Sequence, residues 1–260
     1  MRLRLSSRLA PLLSVMLLGA LPSLANEDVV SGLSEDRIEI SANFSGSDLL
    51  VYGAVKRDTP PPTTGTLEVI ITVEGPSSGL TVRRKSRVAG IWVNTEAVNI
   101  DSAPSFYAIA TTRPFDDIIS QTEDMRRSIS IPRAIRSVGA PSNILDSAAF
   151  TEALIRLKAN KGMYGLYEGS VRLAQDTLFR TDIALPANLV EGVYKTRIFL
   201  LRGKQVVGLD ERSIYVRKVG LERWLFALAH KKPALYGLLA LGLAAFAGWA
   251  ASALFRLIRH

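Results

Sequence analysis

The chain has 260 residues, no cysteine, two histidines and a formal net charge of +8. Five of those positive charges sit in its two ends, Arg2, Arg4 and Arg8 at one and Arg256 and Arg259 at the other. With those five set aside, 27 Lys+Arg face 24 Asp+Glu, which gives no electrostatic reason to expect nucleic acid. The missing cysteine excludes thiolate catalysis, zinc–cysteine sites and iron–sulfur clusters. Both histidines, His230 and His260, flank the last apolar segment, so the body of the chain has no imidazole for a Ser-His-Asp triad or a histidine metal centre. We therefore expect no enzyme activity, no cofactor and no metal site.

The first segment, Leu9 to Leu24, follows three arginines and ends in Pro22-Ser23-Leu24-Ala25. A basic start, an apolar stretch, a helix breaker and small residues before the cut read as a secretory signal over residues 1–25, with the mature chain starting at Asn26. The alternative is an uncleaved signal anchor. An exported chain of about 200 residues is large enough to hold together by its core alone.

Residues 35–112 read as short strands: Arg37 to Ser41, Leu49 to Val55, Thr66 to Val73, Leu80 to Val88, Ile91 to Asn94, Val98 to Ile100 and Phe106 to Thr111. In Thr66 to Val73, the residues Leu67, Val69, Ile71 and Val73 share one face. Gly46-Ser47-Asp48, Gly75 to Gly79 and Ala89-Gly90 supply turns. Strands at this spacing predict an antiparallel immunoglobulin-like β-sandwich. Trp92, Phe106 and Tyr107 are expected in its core. Pro60-Pro61-Pro62 reads as a stiff exposed connection.

Two helices are expected next, Phe115 to Arg127 and Ser147 to Asn160. The second carries Phe150, Leu154 and Leu157 on one face, with Gly162 as its C-terminal stop. Strands resume at Ser170 to Ala174, Leu178 to Leu185, Val193 to Arg202 and Gln205 to Arg217. Arg202-Gly203-Lys204 closes the last two into a hairpin. The fold class is mainly β. The expected order is a first sandwich over 26–112, a helical connector over 113–166, a second β module over 167–219, a juxtamembrane amphipathic helix over 220–233, a transmembrane helix over 234–255 and a cytoplasmic tail over 256–260. One sandwich with a helical insertion is the rival reading.

The juxtamembrane helix places Leu221, Trp224, Leu225 and Leu228 on one face, as a helix lying at the membrane–water boundary does. Ala234 to Phe255 is 22 residues without a charge. As a helix it measures about 33 Å, enough to cross a hydrocarbon core. Trp224, Tyr236 and Trp249 lie near its ends, where interfacial aromatics collect. The two apolar segments together predict a single-pass protein with residues 26–233 exported and a five-residue tail inside.

Among candidate sites, Arg83, Lys85 and Arg87 alternate with Arg84 and Ser86, so as a strand they project together. Guanidinium groups in a row suit sulfate-like or phosphate-like oxyanions or lipid head groups, and they also discourage edge pairing. Asn94, Ser105 and Arg113 are candidates to line a shared pocket or partner surface. In the span, Ala240, Ala244, Gly248 and Ser252 recur every fourth residue, a ridge of small side chains that lets another helix approach.

Three blocks are distinctive: Gly32 to Ile40 (GLSEDRIEI), Arg87 to Asn94 (RVAGIWVN) and Pro104 to Tyr107 (PSFY). With Leu221 to the end, they make the chain resemble the Alph_Pro_TM family of transmembrane proteins. The resemblance covers nearly the whole mature chain and carries no catalytic residues with it. It implies an accessory role beside permeases of the TauE/SafE sulfite-exporter type. The expected function is a non-enzymatic, membrane-anchored periplasmic protein that binds a partner, with an integral membrane anion permease as the candidate. The alternative is a periplasmic anion or solute receptor using Arg83, Lys85, Arg87 and Arg113, and an enzyme with a carboxylate or Ser-Lys site is a weaker third.

Overall fold

The computed structural model describes residues 27–41, 44–57, 65–139, 144, 146–219 and 221–258. The expected signal sequence, the Pro60-Pro61-Pro62 run and the last two residues of the tail lie outside them.

Twelve strands and six helices follow in chain order among these residues. They are β1 (Glu27–Leu33), β2 (Arg37–Ile40), β3 (Gly46–Arg57), β4 (Leu67–Glu74), β5 (Ser77–Val88), β6 (Ile91–Pro104), β7 (Tyr107–Thr111), α1 (Phe115–Ile118), α2 (Gln121–Arg127), α3 (Ile131–Ala134), α4 (Ser147–Asn160), β8 (Tyr164–Tyr167), β9 (Arg172–Ala174), β10 (Leu178–Pro186), β11 (Gly192–Arg202), β12 (Gln205–Lys218), α5 (Leu221–Lys231) and α6 (Pro233–Ile258). The protein is mainly β with one C-terminal apolar helix.

The strands form a four-stranded sheet, β1-β3-β10-β9, and a six-stranded sheet, β2-β12-β11-β4-β7-β8. In the larger sheet β2 runs parallel to β12 and β8 parallel to β7, and the other pairs are antiparallel. The two sheets pack face to face over Val51, Val55, Phe179 and Ile183 from one side and Leu67, Val69, Ile71, Ile198 and Leu200 from the other. The far face of the larger sheet is covered too. Ile70, Tyr107, Ile109, Phe199 and Leu201 meet Ile118, Ile129, Phe150 and Leu154 from the helical segment and Val98 and Ile100 from β6. This explains why β4 is buried without a break from Leu67 to Val73, where alternation alone would expose every second residue.

The division into a first sandwich and a second β module is corrected by strand pairing. β10 pairs with β3, and β11 lies between β4 and β12. Strands from 27–111 and 172–218 thus share both sheets, and the helical segment is an insertion in one sandwich. Other differences are local. Ile91 to Pro104 is a single strand. The helix expected over Phe115 to Arg127 is two, parted at Ile119 and Ser120, because Ser120 Oγ accepts the Glu123 amide and starts a new helix. Leu157 is exposed, whereas Phe150 and Leu154 are buried as expected. Gly162, at φ +67°, stops α4, its amide reaching Ala159 and that of Met163 reaching Lys158. Gly203 and Lys204, at φ +59° and +66°, form the two-residue turn between β11 and β12.

Two polar contacts lock the sandwich. Tyr194, near the start of β11, is buried, and its hydroxyl donates to the carbonyl of Val190 at 3.0 Å while its ring packs 6.2 Å from Phe106. At the opposite edge Glu27 is buried between two guanidinium groups. Arg57 Nε donates to Oε1 at 2.8 Å, and Arg202 donates to both carboxylate oxygens at 2.8 and 3.2 Å. Arg57 belongs to the four-stranded sheet and Arg202 to the six-stranded one, so Glu27 ties the sheets together.

Burial pushes the Glu27 carboxyl up, and the hydrogen bonds and charges of Arg202 and Arg57 more than offset it, leaving the pKa below the usual value near 4.5. A carboxyl whose pKa is depressed by folding stabilises fully above its unfolded value, and that contribution is lost as pH falls through the folded one. Two results are therefore expected in thermal melts. The wild-type Tm declines on acidification below about pH 4.5. Glu27→Gln, which leaves two buried guanidinium groups without a counter-charge, is destabilised by about 3–5 kcal/mol at pH 7 and shows a shallower acid decline. A Glu27→Gln melt that overlays the wild type at pH 7 contradicts this clamp.

Candidate functional site

β5 and β6 make the third sheet, a two-stranded hairpin whose β6 is also tied to the helical segment by an antiparallel bridge between Ser102 and Arg136. Its two faces differ in chemistry. Leu80 and Val82 of β5 and Val98, Ile100 and Ala103 of β6 turn inward and pack with α4 and the helical layer. Thr81, Arg83, Lys85 and Arg87 turn outward and are exposed. Thr81 bonds across to Asn99 at 2.8 Å on that outer face.

A register shift between Arg84 and Lys85 decides what joins the cations. Arg84 pairs with Glu96 and Lys85 pairs with Asn94, so Thr95 is the extra residue of a β-bulge. One inserted residue inverts the alternation beyond it. Asn94 and Trp92, which strict period-two counting from Val98 would turn inward, come to lie opposite Lys85 and Arg87 on the outer face. Three cations, an amide and an indole thus share one surface. Thr95 fills the irregularity, its hydroxyl 3.0 Å from that of Ser86.

Arg84 belongs to the other face. It forms ion pairs with Glu96 at 2.9 Å and Asp146 at 2.5 Å, and its guanidinium lies 4.6 Å from the centre of the Phe150 ring. The hydrogen bond from Arg84 holds the Asp146 carboxyl below its ordinary pKa. Arg84 is therefore neutralised and fastens the hairpin to the start of α4. The densest basic stretch of the sequence divides into one fixing residue and three outward ones.

The hairpin ends in a two-residue turn, Ala89 at φ +50° and Gly90 at φ +88°. Around it Val88, Ile91 and Trp92 are exposed by 51, 65 and 68%. The sequence reading put Trp92 in the core with Phe106 and Tyr107. Only the latter two are there, and the Tyr107 hydroxyl donates to the Ile129 carbonyl at 2.8 Å while burial pushes its pKa up to about 12. The signal for Trp92 was its place two residues past a turn and opposite an arginine, where no second layer can reach it.

Two proposed site residues lie elsewhere. Ser105, at the hairpin root, is buried, and a side chain on Gly75 would come within 2.6 Å of its hydroxyl. Its carbonyl accepts from Lys158 Nζ at 3.2 Å. Arg113 is past the end of β7 and pairs with Glu68 at 2.8 Å. Neither shares a pocket with Arg83, Lys85, Arg87 and Asn94. Among the described residues no three His, Cys, Asp or Glu side chains gather where a metal could be held.

The hairpin and the C-terminal helices leave the sandwich by the same edge. Glu74, the end of β4, pairs with Lys195 near the start of β11 and with Tyr107, the start of β7, and Gly192 pairs with Val216 near the end of β12. β5 and α5 each begin three residues beyond that edge. In α5 the His230 ring stacks on Phe226 at 4.0 Å, whereas the side chains of Leu221 and Trp224, half of its expected apolar face, lie outside the described ones. Pro233–Ser252 of α6 is long and apolar enough to cross a membrane, and Ala240, Ala244, Gly248 and Ser252 are exposed along it at four-residue spacing.

No curated relative matches the chain. A family model described as "Putative transmembrane protein (Alph_Pro_TM)" matches residues 28–257, from β1 through the apolar helix. With both the sandwich and the span inside that match, the chain belongs to the Alph_Pro_TM family of transmembrane proteins.

Proposed function

We propose that this protein is a non-enzymatic adaptor, held in the bacterial inner membrane by α6, whose periplasmic β-sandwich uses the β5–β6 hairpin to grip an integral membrane protein. The observation that carries this reading is the tip of the hairpin, where exposed Val88, Ile91 and Trp92 stand beside Arg87 and Lys85. A patch of large exposed apolar side chains marks an interaction site, and tryptophan and arginine are among the residue types enriched at the hot spots of protein interfaces. The root shares an edge with the chain's exit toward the membrane, which favours a partner embedded there. A permease of the TauE/SafE type is the candidate that the family resemblance raises.

Further features support the finer parts of this reading. A parallel β2 beside β12 and the Tyr194–Val190 corner fit an immunoglobulin-like sandwich. Cleavage of residues 1–25 would place Glu27, the clamp between the sheets, next to the new N-terminus. The small-residue ridge of α6 gives a second contact surface inside the bilayer. By contrast, a receptor built on Arg83, Lys85, Arg87 and Arg113 has no common cavity to work with, because Arg113 is paired elsewhere.

Photocrosslinking in native membranes tests the hairpin. A benzophenone side chain at position 92 is expected to capture one integral membrane protein, and the same group at the exposed position 193 on β11 is not. Equal labelling patterns from both positions contradict the proposal. Reversing Arg83, Lys85 and Arg87 to glutamate should reduce co-purification at least tenfold and leave the Tm within about 1 °C, since exposed charges add little to stability. In the span, Gly248→Leu should weaken the same complex without altering the fold of the sandwich. Unchanged recovery of the partner would remove the ridge from the account.

A further inference from the structure

The outer face of the four-stranded sheet holds a second feature that the hairpin does not explain. A cleft of about 740 Å³ opens there, within the size range of small-molecule sites. Its base is made small by sequence. Val30 pairs with Ala54, Ala54 with Leu178 and Leu178 with Ala174, so this row presents alanine between two larger side chains. In the next row Gly32 lies opposite Tyr52, whose ring rests over it, and a side chain on Gly32 would come within 2.8 Å of that ring. Val30, Tyr52 and Leu178 remain about half exposed.

The same second row continues from Tyr52 to Arg180 and Arg172, which face each other directly across β10 and β9. The Cβ atoms of residues paired in that way stand about 5 Å apart, and like charges there are destabilising. Among the described residues neither arginine has a carboxylate partner. Asp182, two positions along β10 on the same face, forms an ion pair with neither. Two arginines with no carboxylate partner among the described residues, beside an open apolar trough, have the layout of a site for a molecule that is anionic at one end and apolar along the other.

The geometry points to a binding site for a soluble single-chain amphiphile with an oxyanion head. The head sits between Arg172 and Arg180, whose planar forks match carboxylate or sulfonate oxygens. The chain lies along Val30, Ala54 and Leu178 against the Tyr52 ring. This site is on the opposite sheet from the hairpin, and its occupancy would not require the partner.

The test uses the full chain in nanodiscs of zwitterionic lipid, with equilibrium dialysis of radiolabelled decanoate and empty discs subtracted. One saturable site per chain is expected. Octanoate should compete roughly fifteenfold less well, at about fourfold per methylene removed, and decanol at least tenfold less well. The double substitution Arg172→Ala, Arg180→Ala should weaken binding at least tenfold. Ala54→Trp, at a half-buried position on the outer face where a larger ring fills the trough, should abolish saturable binding with an unchanged circular dichroism spectrum. Decanoate retention that is the same in wild type and both variants overturns the proposal, as does a signal that appears only when the discs contain anionic lipid.

Discussion

The larger sheet is covered on both faces, and the rest of the architecture follows from that constraint. β4 and β11 at its centre contribute Ile71, Ile198 and Leu200 to one layer and Ile70, Phe199 and Leu201 to the other. Each such side chain is worth roughly 1.5–3 kcal/mol when buried. A two-layer sandwich would leave the second set in water. The chain avoids this by inserting a hairpin and four short helices between strands that are neighbours in the sheet. The insertion is therefore part of the core, and the hairpin root cannot be moved without opening it.

That dependence separates two roles along one hairpin. Near the root, Val98 and Ile100 bury against helices and Arg84 binds Glu96 and Asp146. Beyond the bulge at Thr95, Trp92, Asn94, Lys85 and Arg87 share an exposed face. The root gives rigidity, so an aromatic group is held out on an arm already fixed in shape. Pre-ordering of this kind reduces the entropy lost on binding. Both strands of the arm and the chain leading to the apolar helix leave from the same end of the larger sheet.

Much of this was legible in the residues. Alternation gave most strands within two or three residues, the Gly203 turn gave the last hairpin, and the 22-residue apolar run gave the membrane helix. The outward row of Arg83, Lys85 and Arg87 also followed from period two. What failed were inferences across distance. Local pattern does not say that β10 pairs with β3, so one sandwich read as two modules. Glu27–Leu33 was passed over because its polar and glycine residues weaken the strand signal, although its partner is β3. Trp92 was assigned to the core by residue type, yet type does not reveal that its segment has no second layer. The bulge that brings Asn94 beside Lys85 needs the cross-strand register, which depends on both strands at once. Ser105 and Arg113 are candidates beside Asn94 on residue type alone, and the fold separates them into a buried seam and an ion pair with Glu68.

The central claim is that the far half of the hairpin is a covered contact surface in the membrane and a bare one in isolation. Amide hydrogen exchange measured on the protein in native membranes and again after purification in neutral detergent addresses this directly. The account predicts that residues 86–93 exchange markedly more slowly in native membranes, while β4 and β11 are equally protected in both states. Identical exchange at the tip in the two states would contradict it.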